Sequence, residues 1–231
     1  SLVGSEMCIR DRAACGSLFV DADTMKVRGI RNIQSNVILE GALFESCFPQ
    51  YYQVMRTHWA KMYRLDVIKK MNLSNCNIIP YGSDTLFVRE ALLMSNRVGI
   101  MPEALYRYYV YPEVRDYNVV KGRTNAPRVL LERDVSFLLQ KCGSISSNTI
   151  EWLINVYLQE NVDVFNLILG KRDDSQQKIE DIYSVLSSTP CRMAMRLGAR
   201  GKYTYLCDWL LHQSILEDEP VSYTHLTLPT N

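Results

Sequence analysis

Apolar residues recur every three or four positions in three segments of the first half of the chain. This spacing is typical of amphipathic helices, whose apolar side chains line one face. It predicts helices over residues 36–47, 57–71 and 85–95. In the third segment, Phe87, Ala91 and Met94 fall on one face and are expected to form its buried stripe.

Shorter apolar runs between these segments predict strands. Residues 18–20 and 98–101 are continuous apolar stretches, and residues 104–111 alternate in the manner of a strand. A further short strand is predicted at 24–27. The first half of the chain is therefore expected to mix strands with helices.

From about residue 125 the pattern becomes helical throughout. Periodic apolar positions predict four helices, over residues 129–142, 149–169, 176–187 and 202–215. Gly143 follows the first helix and Pro190 follows the third, as residues that end helices do. We expect a mixed α/β portion to about residue 124 and an all-helical extension after it.

Composition and charge narrow the class of protein. Of the 231 residues, 47% are hydrophobic and 22% are charged, which is close to the globular average and excludes a disordered or collagen-like chain. Lys and Arg number 26 against 25 Asp and Glu, so the net charge is +1 and nothing favours a nucleic-acid partner. No apolar run approaches the ~18 residues that a membrane-spanning helix needs.

Histidine and cysteine give no metal or redox pattern. The three histidines, His58, His212 and His225, are far apart in the sequence. None of the seven cysteines forms a Cys-x-x-Cys pair, which argues against zinc and thioredoxin-like sites. The pattern favours free thiols in a reducing cytosol.

The two ends of the chain resemble translated sequencing-adapter DNA. Residues 1–12 match one such string, and residues 221–231 match its counterpart. Ordinary polar tails are the alternative. We interpret both ends as artefacts outside the fold, and we expect residues 13–220 to be a fragment of a longer protein.

Three short motifs appear in order along the chain. They are Trp-Ala-Lys-Met-Tyr-Arg at 59–64, Gly-Ser-Asp-Thr-Leu-Phe at 82–87 and Ala-Leu-Tyr-Arg-Tyr at 104–108. Together they resemble the second half of the catalytic domain of family-2 glycosyltransferases. In that family a Trp-x-Lys-x-Tyr-Arg segment precedes a Glu-Asp-x-x-Phe motif, and a Leu-Tyr-x-Tyr strand follows. The match is good over residues 57–111 and extends to about 30–120.

The resemblance implies an incomplete GT-A (Rossmann-like) glycosyltransferase domain over residues 13–124, followed by a helical extension over 125–220. It implies an inverting enzyme of the cytoplasm that transfers a sugar from a nucleotide-sugar donor to a glycan or lipid-linked acceptor of the cell envelope. The metal motif and the nucleotide-binding half are expected upstream, so a divalent cation (Mg or Mn) belongs to the parent protein. The chain alone is expected to be inactive.

Asp84 is the candidate catalytic residue that the resemblance implies. An inverting transfer needs a base to take the proton of the acceptor hydroxyl, and a carboxylate on a turn before a helix suits that role. The alternative is that Asp84 is only the N-cap of the helix over 85–95. The family often has an acidic residue immediately before this Asp, whereas here Ser83 stands in that place.

Substrate-binding roles are implied for Trp59, Lys61, Gly82 and Ser83. A Trp ring can stack on a sugar, and a Lys can reach a carboxylate or phosphate oxygen. The alternative for Trp59 is helical core packing with Tyr63 and Val67. Tyr106 and Tyr108 would share one face of a strand, where a structural role is favoured.

Asp21 and Asp23 form an Asp-x-Asp sequence after an apolar run, as the family's metal motif does. Only 61 residues separate Asp23 from Asp84 (84 − 23 = 61), which is short for the family. Residues 22–26 resemble a later Ala-Asp-x-x-Lys strand instead. A metal role for the two aspartates is therefore disfavoured.

The basic segment 192–202 suggests peripheral contact with an anionic membrane surface, at the inner face of the membrane. Gly198 and Gly201 interrupt a helix there, so a solvated basic loop is the alternative. A non-catalytic helical interaction module is the competing function for the whole chain. Nucleotide hydrolysis is disfavoured because the chain has no phosphate-binding Gly-x-x-x-x-Gly-Lys motif.

Overall fold

The computed structural model describes residues 12–76, 81–111, 124–170, 175–188 and Cys191. The chain divides into two compact units. The first contains residues 1–119 and 132–149, and the second contains residues 120–131 and 150–231. The predicted domain boundary near residue 124 stays a prediction about the parent protein.

A mixed five-stranded sheet forms the centre of the first unit. Its strands are β1 (Arg12–Asp21), β2 (Val27–Arg31), β3 (Val37–Glu40), β4 (Lys61–Tyr63) and β5 (Arg97–Val110). The long strands β1 and β5 are parallel, and β3 is antiparallel to β5. β2 and β4 pair antiparallel with different parts of β1, so both lie along the edge of β1 that β5 leaves open.

Seven α-helices and two 3₁₀ turns complete the described part of the chain. The helices are α1 (Leu43–Ser46), α2 (Phe48–Tyr51), α3 (Leu65–Lys70), α4 (Ser83–Met94), α5 (Ala126–Cys142), α6 (Ser147–Leu169) and α7 (Ser175–Leu186). The 3₁₀ turns cover Val54–Arg56 and Leu73–Cys76. No helix in the described ranges is long and apolar enough to cross a membrane.

The core of the first unit joins the sheet to α4 and to the later part of α5. Its fully buried side chains include Leu39, Phe44, Phe48, Leu92, Val98 and Leu138. Among them lies a buried ion pair between Arg89 of α4 and Asp134 of α5. Burial lowers the pKa of Arg89, but the facing Asp134 outweighs this effect and the pKa is raised. The guanidinium also lies over the rings of three aromatic residues, Phe48, Tyr52 and Phe137.

The second unit has a separate apolar core between α6 and α7. Buried residues of α6 face those of α7 in one cluster, which includes Leu158, Ile168, Ile182 and Leu186. Asn161, buried within α6, donates its side-chain amide to the carbonyl oxygen of Tyr157 at 2.8 Å. This bond is local to the helix and satisfies the buried amide.

The helices predicted for the second half are confirmed within the described residues. Those predicted at 129–142, 149–169 and 176–187 correspond to α5, α6 and α7. The fourth predicted helix, at 202–215, and the basic segment 192–202 lie outside the described residues. The mixed α/β class with helices following is confirmed.

The first half departs from the sequence prediction at three places. The strand predicted at 24–27 is displaced, because residues 24–26 belong to the turn and β2 begins only at Val27. The helix predicted at 36–47 is wrong in its first part, which pairs with β5 as β3. The helix predicted at 57–71 begins only at Leu65, because residues 61–63 pair with β1 as β4. In each case pairing with a distant strand overrides the local pattern.

The helix predicted at 85–95 is present as α4, but its buried face is not the predicted one. Ala91 is buried, whereas Phe87 is only half-buried and Met94 is 38% exposed. The buried face instead includes Thr85 and Arg89, which bond to the segment before β4. These two polar side chains can be buried beside the apolar ones because they have polar partners.

Candidate active site

Asp84 lies in the first turn of α4. Gly82 precedes the helix with φ of +93°, a conformation that favours glycine because a Cβ would meet the backbone. The N-cap position is Gly82 and Ser83 is the first helical residue, so the interpretation of Asp84 as N-cap is wrong. The Asp84 side chain is 42% exposed. The turn thus presents the carboxylate at the surface.

His58 is the partner of this carboxylate. Its Nδ1 lies 2.9 Å from Oδ1 of Asp84. The imidazole is 57% exposed and meets the ring of Phe87 edge-on, with centroids 6.4 Å apart. In the sequence, His58 was weighed only as a metal ligand, and this pairing was not predicted. His58 stands directly before Trp59, where the first of the three motifs begins, but a lone histidine carries no motif that would predict the pairing.

The segment that carries His58 is held through its backbone. Within the described residues, six of the seven carbonyl oxygens from Val54 to Ala60 accept a hydrogen bond from outside the segment, and only that of Thr57 does not. Lys61 Nζ donates to the carbonyl oxygens of residues 54 and 59. The side chains of Arg89, Thr85 and Tyr63 donate to those of residues 55, 56 and 58, respectively. The backbone N–H of Cys15 donates to that of residue 60. The backbone of residues 54–60 is therefore fixed by hydrogen bonds to the rest of the first unit, although most of the segment has no regular secondary structure.

Ala60 adds local strain to this segment. Its φ is +60°, which a residue with a Cβ rarely adopts, and such strain costs on the order of 1 kcal/mol. The backbone N–H of Cys15, in β1, bonds to the Ala60 carbonyl oxygen at 3.1 Å. The pairing of β4 with β1 therefore fixes the strained residue, and strain of this kind is common in functional loops.

The side chain of Lys61 is one of the groups that bond to the backbone of this segment. Its Nζ donates to the carbonyl oxygens of Val54 at 2.7 Å and Trp59 at 3.0 Å. Burial lowers the pKa of Lys61 to about 7, and the positive charges of Arg12 and Arg31 add to this effect. The ammonium group thus bonds to the protein backbone at the position where the resemblance implied a substrate contact.

Trp59 packs on other aromatic rings. It stacks on Tyr106 and Tyr108 of β5, with centroids 5.0 and 5.1 Å away, and meets Phe19 edge-on. Arg31 lies over the Trp59 ring at 5.9 Å. The alternative of helical core packing with Val67 is wrong, because Trp59 precedes β4 and is not in a helix. The predicted shared face of the two tyrosines is confirmed, since both contact Trp59.

Arg12 ties β1 to both β4 and α4. Its guanidinium is buried and donates to the hydroxyl of Tyr63 at 2.9 Å and to the carbonyl oxygen of Val88 at 3.3 Å. Burial lowers the pKa of Arg12 to about 10. The Tyr63 hydroxyl in turn donates to the carbonyl oxygen of His58 at 3.1 Å. Arg12 belongs to the folded unit of this chain, although it ends the segment that resembles adapter sequence.

Asp21 is the last residue of β1, and Asp23 lies in the turn between β1 and β2. Asp21 Oδ1 accepts from the backbone N–H groups of Asp23 at 3.0 Å and Thr24 at 2.8 Å, and Oδ2 pairs with Arg28. The bond from Thr24 is the largest cause that lowers the pKa of Asp21 to about 2. The ten residues of β1 place this turn about 30 Å along the strand from Arg12.

The described residues bring together most of the predicted site. Gly82, Ser83 and Asp84 are contiguous, and the segment with Trp59 and Lys61 meets them through His58. Asp21 and Asp23 are not part of this site. Within the described ranges, no group of three or more His, Cys, Asp or Glu side chains could hold a metal ion.

Comparisons with known proteins show a likeness of fold to a solved structure. No protein-family model matches the chain, and no curated protein matches it. The crystal structure of residues 1–349 of S. aureus TarS in complex with UDP-GlcNAc is similar, with a TM-score of 0.55 and 14% sequence identity. The alignment covers 98% of this chain and 61% of that one, so the chain spans about three fifths of its length. At this identity the likeness shows the fold alone.

Proposed function

We propose that the protein from which this chain derives is an inverting glycosyltransferase of the family-2 type, with Asp84 as its catalytic base. The observation that carries the proposal is the surface carboxylate of Asp84, which lies at the first turn of α4 with Nδ1 of His58 2.9 Å away. The fold supports it, because TarS, which shares this fold, was crystallised with a nucleotide sugar. The order of the three motifs supports it independently.

In the proposed reaction, the acceptor hydroxyl gives its proton to Asp84 as its oxygen attacks the anomeric carbon of the donor sugar. The bond from that carbon to the nucleoside diphosphate breaks, and the configuration inverts. The donor is a nucleotide sugar, and the acceptor is a glycan or lipid-linked precursor of the cell envelope. We place the reaction in the cytoplasm, and contact with the inner face of the membrane is part of the proposal.

A divalent cation (Mg or Mn) would offset the charge of the leaving diphosphate in the parent protein. The described residues do not fit this ion, since the Asp21 carboxylate is occupied by turn amides and Arg28. We propose that the metal ligands and the nucleotide-binding half lie in sequence upstream of residue 13. On this proposal the 231-residue chain has no transfer activity of its own.

The test is Asp84→Asn in the parent protein, obtained by extending the reading frame upstream. Asn keeps the size of the side chain, but it cannot take a proton. Removal of a general base is expected to lower kcat by about 100-fold or more. Product formation from a panel of nucleotide sugars, measured by release of the nucleoside diphosphate, is the assay.

Asp66→Asn is the matched control. Asp66 also lies in the first turn of a helix, is 48% exposed and pairs with a neighbouring side chain, Arg64, at 2.9 Å. This variant is expected to keep the full rate. An Asp84→Asn enzyme with unchanged kcat would remove the catalytic assignment and leave the helical interaction module as the better account.

A further inference from the structure

We propose that Arg31 binds an anionic group of the acceptor, a phosphate or a carboxylate, next to the hydroxyl that faces Asp84. This inference rests on the proposed function, since it states which chemical class of acceptor the same site takes. Three observations carry it: the sheet face on which Arg31 lies, the groups that its guanidinium contacts, and the positive charge around it.

The register of the sheet places Arg31 on the face that carries Trp59. Arg31 of β2 and Tyr106 of β5 both pair with Ser17, which lies between them in β1. Residues that are directly paired across neighbouring strands point to the same face of a sheet. Trp59 stacks on Tyr106 with ring centroids 5.0 Å apart, so Arg31 and the Trp59 ring are on one face.

The contacts of the Arg31 guanidinium are with aromatic rings. Its Cζ atom lies 5.0 Å from the ring centroid of Phe19 and 5.9 Å from that of Trp59. A ring attracts a cation but offers no oxygen to its N–H groups. Among the residues that the structure describes, no carbonyl or carboxylate oxygen accepts a hydrogen bond from this side chain. The rings thus hold the guanidinium and leave its N–H donors for a ligand.

Other basic groups lie close to Arg31. Burial is the main cause that lowers the pKa of Arg31, and the charge of Arg56 lowers it further. After burial and Arg12, the charge of Arg31 is the next cause that lowers the pKa of Lys61. A positive charge that is partly removed from water and faces like charges is disfavoured until an anion joins it. We therefore infer a ligand of negative charge.

The shape of the guanidinium indicates which anions it takes. Its N–H groups form a planar fork that matches two oxygens of a carboxylate or of a phosphate. Both rings that contact Arg31 belong to residues of the same sheet face or stack on it, so the fork is held in a fixed place. A carboxylate or phosphate group is thus the ligand that fits.

Arg31 is close to the candidate base. Trp59, whose ring it contacts, directly follows His58, and Nδ1 of His58 lies 2.9 Å from Oδ1 of Asp84. Burial is the main influence on the pKa of Arg31, and Tyr81, which precedes Asp84 by one helical turn in the sequence, is another and raises it. In the proposed reaction the acceptor hydroxyl is the group at Asp84. The anion at Arg31 is therefore assigned to the acceptor and not to the diphosphate of the donor.

The test is a titration of the 231-residue chain with inorganic phosphate, acetate and pyrophosphate, at an ionic strength held constant with sodium chloride. The reporter is the ¹H–¹⁵N NMR signal of the Trp59 indole, assigned by its loss in Trp59→Phe. We expect phosphate or acetate to shift this signal to saturation, because an anion on Arg31 changes the electric field at the ring that the guanidinium contacts.

Arg31→Gln removes the charge and is expected to weaken binding of the same anion about tenfold or more, the usual effect of losing a hydrogen bond to a charged group. Arg31→Lys keeps the charge without the fork and is expected to bind with intermediate affinity. Arg107→Gln is the matched control. Arg107 is exposed and pairs with Leu18, the residue after Ser17, so it lies on the opposite face of the same sheet. This variant is expected to bind as the unaltered chain does.

Three results would overturn the inference. They are the absence of a saturable shift with both phosphate and acetate, equal affinities of the unaltered chain and Arg31→Gln, and a shift with pyrophosphate alone. The last result would assign the site to the diphosphate of the donor.

The two proposals fail in different ways. If phosphate binds through Arg31 but Asp84→Asn in the parent protein transfers normally, the anion site exists and the proposed function is wrong. If Asp84→Asn abolishes transfer and neither phosphate nor acetate binds, Asp84 remains the base and the role of Arg31 is wrong.

Discussion

The protonation state of Lys61, which lies beside the candidate site, is expected to make the stability of the fold depend on pH. Its Nζ bonds to two backbone carbonyl oxygens, and burial lowers its pKa to about 7. In the unfolded chain a lysine has a pKa of about 10.4. Between these two values the unfolded chain binds a proton that the folded chain has released. The free energy of unfolding must therefore rise with pH in this range, and the stability is lower on the acidic side.

The magnitude follows from the two pKa values. From pH 7 to pH 9 the unfolded lysine stays almost fully protonated, while the folded one goes from about half protonated to almost neutral. One proton of difference changes the free energy by ~1.4 kcal/mol per pH unit, so Lys61 contributes a rise of about 2 kcal/mol over this window. Cys142 and Cys191 act in the opposite direction, because burial raises the pKa of both thiols.

Lys61→Met isolates this contribution, because it removes the titrating group and leaves the two cysteines in place. Urea unfolding followed by circular dichroism at pH 7, 8 and 9 gives the free energy of unfolding of each protein. The difference between the unaltered chain and Lys61→Met is expected to change by about 2 kcal/mol across the series in favour of the unaltered chain at high pH. Lys69→Met, which removes an exposed lysine from α3, is expected to show a constant difference. A constant difference for Lys61→Met as well would refute the reasoning, since Lys61 would then keep its proton in the folded chain.

Two further predictions concern the supports of the site. Asp134→Asn leaves the charge of Arg89 buried without its partner, and urea unfolding is expected to show a loss of about 3–5 kcal/mol; a loss below about 1 kcal/mol would contradict the buried pair. Gly82→Ala forces a Cβ into a backbone with φ of +93° and is expected to cost about 1–2 kcal/mol in the same measurement. Its control is Gly29→Ala in β2, where a Cβ meets nothing within 4 Å, and equal effects of the two changes would refute the role of Gly82.

The predictability of each element follows from where its partners lie. α6 and α7 pack on each other through apolar positions spaced at the helical period, so their pattern in the sequence reports their structure directly. Trp59, Tyr63 and Val67 have the same spacing, yet they belong to a turn, a strand and a helix in succession. The strand exists because residues 61–63 pair with residues 12–14, some fifty positions away, and no local pattern encodes that pairing.

In the candidate site, too, residues recognised from a local motif could be predicted, whereas residues brought in by distant contacts could not. The motif that contains Gly82 and Asp84 could be recognised from adjacent residues, and its position at the start of a helix was close to correct. His58 could not be assigned to it, because 26 positions separate His58 from Asp84 (84 − 58 = 26) and a lone histidine carries no motif. Lys61 was assigned to substrate because its charge suggested an anion, whereas the fold gives its ammonium two carbonyl oxygens.

The sequence by itself determined the class of fold, the three helices of the second half that the structure describes and the identity of the surface carboxylate, because these depend on residues that are neighbours in the chain. Only the tertiary structure decided which histidine meets Asp84 and which backbone oxygens hold the segment before β4. Those contacts join β1, β4 and α4 across long sequence separations. They form because buried donors and acceptors must find partners, and the packing of the sheet against α4 determines which partners are within reach.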